Sequence, residues 1–367
     1  MDHRIEMPLP PGGPLEFVPG GAPTAFNWEY RDDREHLATL YEKSKLLQWN
    51  ATTDIDWSID VDLERNPPGF TPEIFNLLTR PPKPFDDKML LEFKTHRTAW
   101  MLSQFMHGEQ GALVATAALA SAVPDLDAKF YASQQVADEA RHVEVYRRYL
   151  TTKVGLAYPV NPHLDTLLGQ IVSDNRWDMI YLGMQIMVEG LALAAFGFMN
   201  IMEPEEKLIN QITTYVIRDE ARHVGFGVLA LGDVYRQMTA SEMRVREEFV
   251  VEASYLMRDR LLMEEVWERI GLDKKTWVEW SLQTPFMNGF RQILFSKIVP
   301  NLRRLGLLTP YVREHLDKIG VLQFEHLPDS TQDEGVAIPP ALMQFFGQLM
   351  AQGVQIEVPA APNGSKS

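Results

Sequence analysis

Long runs of apolar residues at helical spacing, separated by proline-rich or polar segments, dominate this chain of 367 residues. Apolar positions that recur every three or four residues are typical of amphipathic helices. The predicted helices cover residues 30–48, 86–121, 126–152, 163–200, 204–238 and 241–270. Pro124 ends one of them and Pro204 begins another, since proline does not continue a helix. The pattern therefore predicts an all-α chain.

The remaining segments suggest additions to these helices. Prolines surround a short helical insert before residue 86, and residues 273–318 predict further helices, rich in Trp and Phe, that pack outside the main ones. Residues 1–29 are rich in Pro and Gly and predict an extended arm, either a surface strap or disordered. We therefore expect one helical domain over 30–320 and a partly loose segment over 321–367.

One predicted helix is apolar on every side. Between residues 179 and 199 the only strongly polar side chains are those of Gln185 and Glu189. The segment is long enough to cross a bilayer, but a carboxylate at its centre would be costly in lipid. A buried helix inside a protein explains it better, so no membrane partner is expected.

The hexapeptide Asp-Glu-Ala-Arg-His-Val occurs twice, at residues 138–143 and 219–224. Each copy contains Glu-x-x-His, which places both side chains on one helix face, one turn apart. A further Glu lies on the predicted helix that precedes each copy, and a turn separates the two helices. The candidate metal ligands are Glu109, Glu139, His142, Glu189, Glu220 and His223. This half-chain repeat predicts a site for two metal ions built from four helices.

The alternative for a single Glu-x-x-His is a solvated, mutually paired helix face. Glu189 argues against it, because a carboxylate buried in an apolar helix must be paired or bind a metal. Four carboxylates and two imidazoles are a hard, oxygen-rich donor set that suits iron or manganese over zinc or copper. We expect two iron ions, with manganese possible at one or both positions.

Asp138, Arg141, Asp219 and Arg222 flank the predicted ligands. Histidine ligands usually donate their other ring N–H to a carboxylate. Neighbouring residues on a helix point about 100° apart, so each Asp would serve the His of the other helix. The alternative is a pair of surface Asp–Arg contacts of little energetic weight.

The doubled motif, each copy with its upstream Glu, resembles the ferritin-like di-iron carboxylate proteins, in the branch of ribonucleotide reductase small subunits and bacterial multicomponent mono-oxygenases. The resemblance covers roughly residues 30–240 and implies a four-helix bundle core with flanking helices. It also implies that Trp49 donates a hydrogen bond to Asp219, which in turn holds a ligand histidine. A plain aromatic core residue is the alternative for Trp49.

Tyr146 lies one turn beyond His142 on the same helix face. In reductase small subunits the radical-bearing tyrosine occupies this offset, whereas most buried tyrosines only fill a core. The chain departs from both groups of relatives: Leu193 stands where mono-oxygenases carry a Thr, Gly197 replaces a bulky residue, and the C-terminal tail lacks a reductase docking motif. We expect Leu193 and Gly197 to border the substrate pocket.

Three hypotheses follow. The first is an oxidase or oxygenase that uses dioxygen on a small organic substrate, with electrons from a separate reductase or ferredoxin. The second is a radical-generating subunit in which Tyr146 is catalytic. The third is a ferroxidase or iron-storage protein, although such proteins are typically shorter and need only one Glu-x-x-His.

Composition narrows the partners. A net charge of −15 argues against nucleic acid and fits a cytoplasmic enzyme. No cysteine is present, which excludes disulfides and iron–sulfur ligation within the chain. The first residues contain no apolar segment of the kind found in signal peptides. The sequence does not decide whether the protein forms a homodimer.

Overall fold

A computed structural model describes residues 17–30, 34–67, 69–202, 206–332 and 340–355. Within those ranges the chain is helical and contains no β-strand, which confirms the predicted all-α class. The α-helices are α1 (Glu35–Leu46), α2 (Pro72–Thr79), α3 (Asp87–Ala122), α4 (Leu126–Tyr149), α5 (Pro162–Ser173), α6 (Trp177–Tyr181), α7 (Glu189–Met202), α8 (Lys207–Tyr235), α9 (Ala240–Asp259), α10 (Glu264–Arg269), α11 (Lys274–Gln283), α12 (Pro285–Phe295), α13 (Ile298–Arg304), α14 (Pro310–Lys318) and α15 (Pro340–Ala351).

Four long helical segments form the central bundle: α3, α4, the continuous stretch from α6 to α7, and α8. Side-chain caps set where the first two begin. Asp86 accepts a hydrogen bond from Met89 N at 2.8 Å, and Asp125 accepts one from Ala128 N at 2.9 Å, which satisfies backbone donors that the first turn leaves open. Helix α1 lies across α4 and α8 and so closes one side of the bundle.

The stretch between α6 and α7 is a π-helical segment, Leu182–Val188, that ends directly before Glu189. A π segment widens the helix by one residue per turn and often marks a functional site. Helix α8 approaches it closely at Gly227, where an added Cβ would lie 2.6 Å from Gln185 Cβ. Glycine is therefore required there, and it allows α8 to pack against the widened helix.

The predicted helix over 163–200 is wrong in one respect, because it is two helices. Helix α5 ends at Ser173, and α6 begins at Trp177. Between them the Asp174 carboxylate accepts hydrogen bonds from the Arg176 backbone N at 2.8 Å and from the Arg176 guanidinium at 2.9 and 2.7 Å. A side chain that takes up backbone donors locally competes with the helix.

The predicted helix over 241–270 is also interrupted. Helix α9 ends at Asp259, a 3₁₀ turn covers Arg260–Leu262, and Met263 adopts φ 54° and ψ 38° before α10 begins. Left-handed backbone is strained for a methionine, so the surrounding packing must hold it. No Gly or Pro signals this break in the sequence.

Other predicted boundaries hold to a few residues. Helix α1 is shorter than the predicted 30–48, while Pro204, the predicted start of α8, lies outside the described residues, as do residues 1–16 of the predicted arm. The described part of the arm contacts the end of α3: Ala25 N donates to Ser121 O at 3.0 Å, and Asn27 Nδ2 donates to Pro124 O at 3.0 Å.

The helix from Trp177 to Asn200 has the length and composition of a membrane span, but 94% of its most apolar window is buried inside the protein. It is the core helix of the bundle. The C-terminal helices pack around it, with α12 against α7 and α15 against α12. Phe93, Trp267 and Trp277 form part of a second apolar cluster at the outer end of α3.

Candidate metal centre

The six predicted ligands meet in the middle of the bundle, one group from each helical segment. Glu109 lies on α3, Glu139 and His142 on α4, Glu189 at the first position of α7, and Glu220 and His223 on α8. All six side chains are buried. Burial of four carboxylates in one place requires compensating positive charge.

Two groups of donors form around the two histidines. His142 Nδ1 lies 3.2 Å from Glu109 Oε2, 3.3 Å from Glu139 Oε2 and 3.2 Å from Glu220 Oε1. His223 Nδ1 lies 3.1 Å from Glu139 Oε1 and 3.5 Å from Glu220 Oε1. Glu189 joins the His223 group. Glu139 and Glu220 therefore reach both groups, as bridging carboxylates between two ions would.

These separations suit metal binding. Two ligand atoms that each lie about 2.1 Å from one ion, at about 90° to each other, are about 3.0 Å apart. Both Glu220 oxygens, Glu139 Oε2, Glu189 Oε2 and His223 Nδ1 are buried without a hydrogen-bond partner in the part of the chain that is described. Buried acceptors rarely stay unsatisfied, so these residues fit a pair of cations. Their role as ligands stays a prediction.

The charges of the centre also favour added cations. Burial raises the pKa of Glu189 well above its ordinary value, and the nearby Glu139 and Glu220 carboxylates raise it further. Burial likewise raises the pKa of Glu109, with Glu220 adding to the effect. Burial lowers the pKa of His142, but the Glu109 charge and a hydrogen bond to Asp219 outweigh it and raise that pKa well above its usual range. The protein groups alone thus attract positive charge, which metal ions supply.

The histidines are held from outside by the two aspartates of the repeated motif, and the pairing is crossed between helices. His142 Nε2 donates to Asp219 Oδ2 at 3.2 Å, and His223 Nε2 donates to Asp138 Oδ2 at 3.2 Å. A proton on each Nε2 leaves Nδ1 free to bind a metal. Burial would raise the pKa of Asp219, but the bond from His142 and the charges of His142 and Arg222 hold it below its ordinary value.

Two arginines and two residues after α1 complete this outer layer. Arg222 Nη2 donates to Asp219 Oδ1 at 2.5 Å, and Arg141 Nη2 donates to Asp138 Oδ1. Trp49 Nε1 donates to Asp219 Oδ2 at 2.7 Å. Its neighbour Gln48 donates to Asp138 Oδ1 at 3.0 Å. The consecutive residues Gln48 and Trp49 thus bind Asp138 and Asp219, respectively.

Two glutamines that donate hydrogen bonds to carboxylates of the centre and its outer layer were not identified from the sequence. One is Gln48. The other is Gln135, whose Nε2 donates to Glu139 Oε1 and Glu189 Oε1, both at 2.9 Å. Gln135 lies one turn before Glu139 on the same helix face, a signal that could have identified it.

Tyr146 is fully buried and packs against Phe105 and Phe196, with ring centroids 6.1 and 5.8 Å away. Its hydroxyl has no hydrogen-bond partner among the described residues. Burial raises the pKa of Tyr146 well above its ordinary value, and the Glu109 charge adds to this. A second buried tyrosine, Tyr131, packs against Phe226 at 4.3 Å and also has an unpartnered hydroxyl. A role in chemistry stays a prediction for Tyr146.

A small cavity of about 20 Å³ adjoins the centre. Its wall includes the carboxylates of Glu109, Glu189 and Glu220, the apolar side chains of Leu191, Ala192 and Phe196, and also Gln104 and Arg260. The expectation for Leu193 is corrected, because it packs instead against Ala221 and Val224 of α8. Gly197 is not part of the wall either. Residues one and two turns after Glu189 on its own face, Ala192 and Phe196, take these places.

A comparison with protein families decides between the three hypotheses. The model of a family described as p-aminobenzoate N-oxygenase AurF matches residues 30–306. This chain belongs to the AurF family. As a member of the family it is a di-iron oxidase or oxygenase, which uses dioxygen on a small organic substrate. Membership favours the first hypothesis over a radical-generating subunit or a ferroxidase.

Solved structures similar to this AurF-family chain include a mutant of an R2-like ligand-binding oxidase with an anaerobically reconstituted Mn/Fe cofactor. The match has 18% identity and a TM-score of 0.46, and covers 77% of this chain and 96% of that one. Another is dimanganese(II)-NrdF from Streptococcus sanguinis, with 16% identity, a TM-score of 0.48, and coverage of 80% and 99%. No curated protein matches the AurF-family chain.

Proposed function

We propose that this protein is an N-oxygenase that inserts an oxygen atom from dioxygen into the amine of a small aromatic substrate. The observation that carries the proposal is the family match over residues 30–306, joined to a buried set of four carboxylates and two imidazoles beside a cavity. The compound in the family description, p-aminobenzoate, is the first substrate to test.

The ligands proposed for one ion are Glu109, Glu139, His142 and Glu220, and those for the other are Glu139, Glu189, Glu220 and His223. Two bound iron ions would supply the redox chemistry and the site at which dioxygen is reduced. The chain's own groups orient the imidazoles through Asp138 and Asp219 and keep bulk water out of the bundle.

The overall reaction requires an electron source. An amine, one dioxygen, two electrons and two protons give a hydroxylamine and one water. The chain has no cysteine with which to hold an iron–sulfur cluster, so we propose an external reductase or ferredoxin as the electron donor. A cytoplasmic location is consistent with the acidic charge, and a homodimer is the assembly to test first.

An aromatic substrate needs more room than the cavity of about 20 Å³ provides. That volume holds about one water molecule, whereas a benzene-sized guest needs on the order of 150 Å³. We expect wall side chains such as Phe196 to change rotamer when substrate binds. Binding therefore selects an opened form of the wall.

The test is a reaction of the iron-loaded, chemically reduced protein with ¹⁸O₂ and p-aminobenzoate, followed by mass spectrometry. The proposal expects an N-hydroxylated or nitro product that carries ¹⁸O. A related amine, aniline, tests whether the carboxylate is needed. If both amines are recovered unchanged although dioxygen is consumed at the centre, the protein does not catalyse N-oxygenation.

A further inference from the structure

Arg260 is a buried guanidinium that the metal centre does not use. It lies in the 3₁₀ turn Arg260–Leu262, between the end of α9 and the strained Met263. Only 4% of its surface is exposed, and it forms part of the wall of the cavity that also touches Glu109 and Glu189. A full positive charge thus stands in a cavity wall that also includes three carboxylates of the proposed centre.

No partner within the described residues neutralises this charge. Arg260 Nε is buried without a hydrogen bond, and no salt bridge or ring contact joins the guanidinium to another described side chain. The acidic residues Asp259 and Glu265, which are near Arg260 in the sequence, bind other groups. Asp259 binds Arg258 at 2.6 and 2.9 Å, while Glu265 accepts hydrogen bonds from Trp100 at 2.9 Å and Asn161 at 2.6 Å.

Other buried arginines of the chain are paired in the usual way. Arg246 is nearly as buried as Arg260 and forms two hydrogen bonds to Asp178, both at 3.0 Å. Burial lowers the pKa of Arg260 to about 10, and no neighbouring charge opposes the effect. An arginine that stays unpaired in a low-dielectric site lacks the anion that its planar fork binds best, a carboxylate or phosphate.

We propose that Arg260 is the anchor for the carboxylate of the substrate, so that this enzyme selects anionic arylamines. The inference rests on the proposed N-oxygenase function and names its substrate class. A ring held by its carboxylate at Arg260 would occupy the cavity that Glu109, Glu189 and Glu220 also line, and so would lie beside the proposed metal centre. An arylamine that carries a carboxylate can use this anchor, and a neutral amine cannot.

Apolar residues of the same cavity fit the ring of such a substrate. Leu191, Ala192 and Phe196 present hydrocarbon surface to the cavity, which suits an aromatic ring, while Arg260 offers a charged group for the carboxylate. Gln104 also lies on the wall, but its amide is occupied, since Nε2 donates to Pro159 O and Oε1 accepts from Asn161 N. Arg260 is thus the unengaged cation on this wall within the described chain.

The test measures binding by calorimetry with anaerobic, iron-loaded protein and three probes: p-aminobenzoate, benzoate and aniline. Wild type should bind the two carboxylates at least about 10-fold tighter than aniline, since a charge-assisted hydrogen-bonded pair changes affinity by about 10- to 100-fold. Arg260→Met should lose that preference and keep its affinity for aniline. Arg260→Lys keeps the charge without the fork and should fall between the two.

Arg246→Met is the matched control, because it removes an equally buried arginine that already has a partner. It should keep the carboxylate preference and lower the melting temperature. Arg260→Met should keep or raise the melting temperature of the ligand-free protein, because it removes a buried charge without a partner. A sharp fall in the melting temperature of Arg260→Met would reveal a structural arginine and overturn the proposal.

Two other outcomes also overturn it. Carboxylates that bind Arg260→Met as tightly as wild type would be held by the metal ions alone. Equal affinity of wild type for benzoate and aniline would leave Arg260 without a role in selection. The function is judged separately by the ¹⁸O product: oxidation of p-aminobenzoate with unchanged binding in Arg260→Met rejects only the anchor, and carboxylate binding through Arg260 without any oxidised amine rejects only the function.

Discussion

At the scale of single residues, Asp219 connects the indole of Trp49 to the imidazole of His142. Its Oδ2 accepts from Trp49 Nε1 at 2.7 Å and from His142 Nε2 at 3.2 Å, while Arg222 binds Oδ1. A carboxylate in this place fixes the tautomer and the angle of the imidazole. This geometry predicts that Asp219 and Trp49 both contribute to metal affinity. A Trp49 that only filled the core would not contribute to it.

We predict that Asp219→Ala weakens metal binding or slows the oxygen reaction by about 10- to 100-fold, as losses next to metal-bound histidines typically do. Trp49→Phe should have a smaller effect in the same direction, because it removes one hydrogen bond and retains the ring. Trp57→Phe is the matched control, since the Trp57 indole donates to the Ala51 backbone O at 2.7 Å, outside the centre. Anaerobic iron titration and stopped-flow absorption measure both effects. Unchanged iron affinity and oxygen kinetics in Asp219→Ala would reduce the contact to packing.

Tyr146 separates the oxygenase from a radical-generating subunit. Oxidation of a tyrosine releases its phenolic proton, and the Tyr146 hydroxyl has no acceptor among the described residues. Loss of that proton in an apolar setting is costly. We therefore predict no persistent tyrosyl radical in high yield after oxygen exposure of the ferrous protein.

Electron paramagnetic resonance of wild type, Tyr146→Phe and Tyr131→Phe tests this prediction. Tyr131 is the control, because it is buried to the same extent and its hydroxyl is also unpartnered within the described chain. A long-lived tyrosyl spectrum in wild type that disappears only in Tyr146→Phe would favour the radical subunit.

At the scale of helices, the π-helical segment Leu182–Val188 determines where Glu189 enters the bundle. Its extra residue rotates the following helix relative to an unbroken α-helix, and Gly227 of α8 leaves room for Gln185. A side chain at Gly227 would push the two helices apart at the level of the metal centre.

We predict that Gly227→Ala destabilises the protein by about 1–3 kcal/mol, as overpacking typically does, and weakens metal binding. Gly225→Ala is the control on the same helix, because an added Cβ there meets nothing within 4 Å and alanine favours the helix by up to about 1 kcal/mol. Thermal melts and iron titrations of both variants provide the measurement. Similar melting temperatures for the two would show that the packing at Gly227 is adaptable.

Helix boundaries show which features of these elements are local. Asp86 and Asp125 begin α3 and α4 through caps formed within three residues, so the sequence predicts those starts closely. The break at Met263 depends instead on packing that holds a non-glycine residue in left-handed backbone. A local pattern contains no record of that packing, and the same is true of the π-helical segment.

At the scale of the molecule, the predicted ligands could be chosen from sequence because two simple signals coincide. The Glu-x-x-His spacing sets two side chains on one face, and the apolar surroundings of Glu189 indicate burial. Gln48 and Arg260 escaped prediction, since their neighbours come from segments far away in the chain. The division into an arm, a central domain and a C-terminal segment also stays a prediction.

The central claim is a di-metal centre formed by the six buried residues. Anomalous diffraction at the iron edge, from crystals of anaerobically iron-loaded protein, tests it most directly. We predict two iron peaks per chain, one beside His142 Nδ1 and one beside His223 Nδ1, and the loss of at least the second in Glu189→Ala. Asp127→Ala, which removes a buried carboxylate elsewhere on α4, should keep both peaks. Iron peaks located away from the two histidines, or two full peaks in Glu189→Ala, would contradict the proposed centre.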